Sequence, residues 1–141
     1  MKLLYLLIFT CLAAQPGKLI ELNGYRLHYI ESGSGKPVIV FFYCAGDIAL
    51  MWKPVINQLS DEFHSVAIDE HGNGWSEFGQ INHSLRQQAF DSKQLLSKAK
   101  LNGPYILIGH SRGALVALEF FRQFKNNVIG IVLVDPSHPD M

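Results

Sequence analysis

The most constraining stretch of this chain is Gly109-His110-Ser111-Arg112-Gly113, set between the apolar run Tyr105 to Ile108 and the apolar-faced segment Gly113 to Phe124. A serine flanked by glycines where a buried strand gives way to a helix requires a tight, strained turn, and such a turn lifts the side chain clear of the sheet for nucleophilic attack. The bare pattern arises by chance in about one chain in twenty of this length. Its surroundings decide the matter, because a strand immediately before and a helix immediately after are what the turn needs. The competing reading of Ser111 is a plain helix cap.

The rest of the chain supplies a frame for such a turn. Lys18 to Leu22 and Tyr25 to Glu31 alternate polar and apolar residues about Asn23-Gly24, which suits a two-residue hairpin. Pro37 to Phe42 is continuously apolar and reads as a strand buried on both faces, and Phe63 to Ile68, Tyr105 to Ile108 and Val128 to Val134 read as further buried strands. Helical spacing predicts helices over Trp52 to Leu59, with Val55 and Ile56 on its apolar side, and over Ser84 to Leu101. The second should bury Leu85, Phe90, Leu95, Leu96 and Ala99 and stop at Asn102-Gly103-Pro104. Strands alternating with helices from Pro37 onward predict an α/β fold, a mostly parallel sheet with helices on both faces.

Composition narrows the function. The 141 residues are 48% hydrophobic and 17% charged, enough for a core, and 12 basic residues balance 12 acidic ones. A chain without net charge has no field to gather nucleic acid, so a small-molecule ligand is expected. No Cys or His spacing suggests a metal site and no glycine-rich phosphate loop is present, so neither metal nor cofactor is expected. Met1-Lys2 and the apolar run Leu3 to Ala14 have the layout of a signal peptide over residues 1–14, and export to the periplasm or medium is expected. The alternatives are a buried N-terminal element in a cytoplasmic protein, or a lipid attachment at Cys11. Removal of Cys11 would leave Cys44 without a disulfide partner, and Cys44 reads as a small buried hydrophobe or a reactive thiol.

From about Lys18 to its end the chain resembles the α/β-hydrolase superfamily. Besides the Ser111 turn, Asp69-Glu70-His71-Gly72-Asn73-Gly74-Trp75-Ser76 looks like the family's Asp-x-Arg-Gly-x-Gly-x-Ser loop, and Ile131 to Asp135 like the strand after its nucleophile helix. Asn102 to Ile108 is similar to a group of bacterial hydrolases of broad specificity. The resemblance implies ester or amide hydrolysis through an acyl-enzyme on Ser111. It implies an oxyanion hole from the backbone N–H groups of Arg112 and Ala45, with Tyr43-Cys44 in place of the family's usual His-Gly. Serine at the turn argues against the epoxide-hydrolase and dehalogenase branches, which use aspartate there.

The family's triad runs Ser, then Asp or Glu, then His. Only 30 residues follow Ser111. Asp135 is a candidate acid or a strand-end turn residue, and His138 is the one histidine after Ser111. The chain is therefore expected to be a partial α/β-hydrolase domain over residues 18–141, with the first six strands and without the C-terminal ones, and to be weakly active or inactive. The alternative is a noncatalytic product or a half-domain that meets a second chain completing the sheet. His71 is expected to hold its loop, His110 to pack away from the pocket, and His28, His64 and His83 to lie on the surface.

Overall fold

The computed structural model describes residues 15–79 and 83–138, so the expected signal peptide at 1–14 lies outside the described residues. Among the described residues eleven short elements follow one another: strands β1 (Lys18–Leu22), β2 (Tyr25–Ser32) and β3 (Val38–Phe42), a 3-10 turn (Ala49–Trp52), helix α1 (Lys53–Leu59), β4 (His64–Ile68), α2 (Leu85–Lys98), β5 (Tyr105–His110), α3 (Arg112–Phe124), a second 3-10 turn (Lys125–Asn127) and β6 (Val128–Val134). The strands form one sheet in the order β1-β2-β4-β3-β5-β6. The first two pairings, β1 with β2 and β2 with β4, are antiparallel. The other three are parallel.

The hairpin closes as the Asn-Gly pair dictates, with Leu22 opposite Tyr25 and both turn residues at positive φ, 51° and 90°. In β3 the pleat divides the buried side chains between two cores. Val38, Val40 and Phe42 pack under α2 and α3 with Leu95, Leu96, Val116, Ala117 and Phe120. Ile39 and Phe41 face the other way, onto Ala49 and Ile56. Helices therefore cover both faces of β3, which is why this central strand is apolar throughout rather than alternating, whereas β6, expected to be buried, has no buried residue because it is the last strand of the described sheet.

Several boundaries and faces differ from the sequence reading. Helix α2 begins one residue later than expected, because Ser84 serves as its cap and accepts from the Gln87 amide at 3.2 Å. It ends at Lys98 rather than Leu101. Phe90, expected in the core, is 42% exposed, while Gln88, Ala89, Asp91 and Ser92 are buried. The polar residues turn inward to different partners: Asp91 meets His71 of the loop after β4, Gln88 meets Arg112 and the His83 carbonyl, and Ser92 Oγ donates to Gln88 O. Val55 is likewise 39% exposed, leaving Ile56 as the buried anchor of the short α1. Strand β5 runs on to His110, two residues past the expected end, because its pairing with β6 continues to His110 opposite Val134. Among the described residues, no helix is long and apolar enough to cross a membrane.

Candidate active site at the strand-to-helix turn

Ser111 is the single residue between β5 and α3, with φ 51° and ψ −121°. A non-glycine residue in that region costs on the order of 1–3 kcal/mol and persists only where its surroundings fix it. The two glycines of the motif show what fixes it. A Cβ on Gly113 would stand 2.6 Å from the carbonyl carbon and oxygen of Phe42 and 2.6 Å from the Tyr43 oxygen, all backbone atoms at the end of β3. A Cβ on Gly109 would stand 2.5 Å from Ala114 Cα. Helix α3 can start against β3 and fold tightly over β5 only because both side chains are missing.

The segment after β6 completes the backbone cage. The Ser111 amide donates to Val134 O at 3.1 Å, and the Ser137 amide donates to Ser111 O at 3.2 Å. The Ser111 hydroxyl is 3.2 Å from Ser137 Oγ. Nothing in the sequence marked Ser137, since the register of β6 against β5 and the turn at Asp135 bring it there. Asp135 itself is exposed, at φ 42°, at the C-terminal end of the strand beside the Ser111 strand. Aspartate tolerates that conformation, and among the described residues its carboxylate has no hydrogen-bond partner. His138 follows on the same tail, exposed.

Ala45 lies in the loop after β3, in a turn closed by the Asp47 amide donating to Cys44 O at 3.1 Å, with Gly46 at φ 83°. Among the described residues, neither the Ala45 nor the Arg112 amide meets an acceptor. The pairing of Phe42 with Gly109 sets this loop alongside the Ser111 turn. Cys44 is half-buried with a free thiol. His110 does not simply pack away: it is half-buried, and a ring nitrogen, Cys44 Sγ and an Asp47 carboxylate oxygen all lie within 4.8 Å of one another.

A polar frame behind Ser111 accounts for the burial of Gln88 on α2. Arg112 Nη1 donates to both Glu70 oxygens at 2.9 Å and to Gln88 Oε1 at 3.2 Å. The Glu70 amide donates to the Tyr43 hydroxyl. Burial pushes the Glu70 carboxyl above its ordinary value, with Arg112 opposing the shift. Burial likewise pushes the Tyr43 phenol far up, so it stays a neutral hydrogen-bonding group. The β3 loop, the β4 loop, α2 and the first turn of α3 are thus tied together around the serine.

The loop 69–76 is held from inside by Asp69, which is wholly buried. Its carboxylate accepts from Ala49 N at 2.6 Å and Trp75 N at 3.2 Å, and lies 2.7 Å from His28 Nδ1. Ser76 Oγ donates to Asp69 O at 2.8 Å and accepts from the His28 amide at 2.9 Å. His28, expected on the surface, is therefore fully buried, because β2 pairs with β4 and aims it at the strand end where Asp69 sits. His64 is also drawn in, with Nε2 2.8 Å from Glu31. His71 does hold its loop: Nε2 lies 2.8 Å from Asp91 Oδ2 on α2, and the ring meets Tyr25 edge-on at 4.6 Å between centroids.

Comparison with known proteins gives one architecture. The model of the alpha/beta hydrolase fold matches residues 37–141. The 2-(acetamidomethylene)succinate hydrolase of Mesorhizobium japonicum is 28% identical over 116 residues, 82% of this chain and 41% of that protein. A soluble epoxide hydrolase of Corynebacterium sp. is 32% identical over 114 residues, 81% of this chain and 39% of that protein. Among solved structures, Cfl2 from Burkholderia cenocepacia superposes with a TM-score of 0.80 at 28% identity, over 86% of this chain and 42% of that one. The chain thus spans about two fifths of the length of these relatives.

Proposed function

The chain belongs to the α/β hydrolase fold family, and from that premise we propose that it carries the nucleophile half of a serine hydrolase acting on small ester or amide substrates. The observation that carries the reading is Ser111 at φ 51° on a turn whose two glycines admit backbone at 2.5–2.6 Å from where a Cβ would be. A turn built at that cost holds a side chain in place for chemistry. In the proposed reaction Ser111 Oγ attacks the substrate carbonyl, and the carbonyl oxygen takes the negative charge. The amides of Arg112 and Ala45, otherwise unspent, donate to that oxygen. Collapse of the intermediate expels the alcohol or amine and leaves an acyl-serine, which water then cleaves.

The step needs a base to take the hydroxyl proton and return it to the leaving group. We assign that role to a histidine in the remaining portion of a full-length hydrolase, with His138 as the candidate within this chain and Asp135 as the candidate acid. Without the base, turnover falls by as much as about 10⁶, leaving on the order of 10³ to 10⁴ over water. Export remains part of the proposal on the strength of Lys2 and the run Leu3 to Ala14. Epoxide hydrolysis, as in the Corynebacterium relative, is the less favoured reading because the residue at the turn is serine.

A second reading, a half-domain that docks a partner, draws on β6. It is the last strand of the described sheet, and Ile129, Val132, Leu133 and Val134 are 64%, 48%, 39% and 42% exposed. An apolar strand with one unpaired edge is a template for further strands, from a longer chain or from a second polypeptide.

One experiment separates the two. The chain is assayed with a short-chain p-nitrophenyl ester alone and with the remaining strands of a relative supplied as a fusion. The expected result is weak turnover alone, a rise of several orders of magnitude in the fusion, and loss of both in Ser111→Ala. Fusion activity unchanged by Ser111→Ala would overturn the serine mechanism.

A further inference from the structure

We propose that Cys44, Asp47 and His110 form a binding site for a borderline-soft divalent cation of the zinc type, beside the Ser111 turn and independent of the hydrolytic reading. The three side chains come from two elements that the sheet brings together. The tight turn closed by Asp47 N to Cys44 O, with Gly46 at φ 83°, places Asp47 back beside Cys44. Parallel pairing of β3 with β5, Phe42 opposite Gly109, sets His110 next to that turn. The thiol sulfur, a carboxylate oxygen and a ring nitrogen then lie within 4.8 Å of one another.

The donor set selects the cation. Sulfur, nitrogen and oxygen together suit Zn²⁺, which takes all three, whereas Mg²⁺ and Ca²⁺ want oxygen alone. Bond lengths of about 2.0–2.3 Å place tetrahedral ligands about 3.5 Å apart, so the three atoms draw in by about 1 Å on binding. They are free to do so: among the described residues, none of these three side chains spends its ligand atom on a hydrogen bond or ion pair. All three are partly exposed, so an ion can reach them and water can fill the fourth position. On binding, the thiol gives up its proton to solvent and the metal takes the thiolate. The ion would tie the turn carrying the Ala45 amide to the strand that delivers Ser111.

The test uses the full chain in a Cys11→Ser background, so that Cys44 is its one thiol, with Co²⁺ as spectroscopic probe and Zn²⁺ as competitor. The expected result is a thiolate-to-cobalt charge-transfer band at one equivalent, bleached by Zn²⁺. The band should vanish in Cys44→Ser, and affinity should fall at least about tenfold in both Asp47→Asn and His110→Gln. Unliganded melting temperatures equal to the parent's show that the variants fold. Absence of the band in the parent at millimolar Co²⁺ would overturn the proposal, and so would a band whose midpoint is unchanged in both Asp47→Asn and His110→Gln. Neither outcome depends on esterase turnover, so failure here and failure of the serine mechanism are separate results.

Discussion

Arg112 Nη1 stands 2.9 Å from both carboxylate oxygens of Glu70, so the residue that follows Ser111 is held from the loop after β4 rather than from its own helix. Glu70→Gln should loosen the aim of the Arg112 amide and lower kcat of the completed hydrolase about tenfold, roughly 1.4 kcal/mol, with KM little changed. An effect on KM alone would count against this positioning role. The same substitution has a pH signature. Burial raises the Glu70 carboxyl above its ordinary 4.5 despite Arg112, so the folded state binds the proton more tightly than the unfolded one. Its contribution to stability is then complete below the ordinary value and is lost as pH rises through the raised one. The stability of the parent minus that of Glu70→Gln, followed by urea unfolding, should fall as pH rises from the ordinary carboxylate value through the raised one.

Gly113→Ala and Gly130→Ala should behave oppositely. At Gly113 the added methyl meets backbone at 2.6 Å on three atoms that no rotamer change can move, whereas at Gly130 the nearest atom is Ile106 Cγ1 at 3.6 Å. Urea midpoints should show a loss of about 2–3 kcal/mol at 113. At 130 they should show a gain of roughly 0.5–1 kcal/mol, because alanine loses less backbone entropy than glycine on entering a strand. Equal effects at the two positions would refute the packing account of the motif.

Asp69→Ala should be among the most destabilising single changes. It strands the Ala49 and Trp75 amides and leaves buried His28 without its carboxylate. The expected cost is about 3–5 kcal/mol, read as a fall in the thermal midpoint by differential scanning calorimetry. A cost below about 1 kcal/mol would mean that the loop 69–76 is held by something else.

Association should run through β6. Ile129→Lys places a charge on an exposed edge position, a recognised way to block strand-to-strand pairing. Sedimentation velocity should show the parent associating with rising concentration and the variant shifted toward monomer. A parent that stays monomeric at high micromolar concentration would remove the basis for a docking half-domain.

The sequence by itself determined the elements whose cause is local. Asn23-Gly24 dictates a hairpin, the apolar run Pro37 to Phe42 dictates a strand buried on both faces, and Gly109 and Gly113 around Ser111 dictate a turn too tight for other residues, whereas the equally apolar Val128 to Val134, expected to be buried, forms a strand with no buried residue in the described sheet. Six strands, their alternation with helices and the place of the Ser111 turn were therefore legible from composition and spacing alone. What only the tertiary structure decided are the partners of polar residues far apart in the chain: His28 on Asp69, Gln88 and Glu70 on Arg112, Ser137 on Ser111, His110 beside Cys44 and Asp47. Periodicity assigns a polar side chain to solvent by default, and that default placed His28 on the surface and Phe90 in the core. The default fails wherever strand order and register bring two polar groups to the same buried strand end. There the hydrogen bond recovers the desolvation that burial would otherwise cost, and the pairing that creates it is a property of the sheet rather than of any window of sequence.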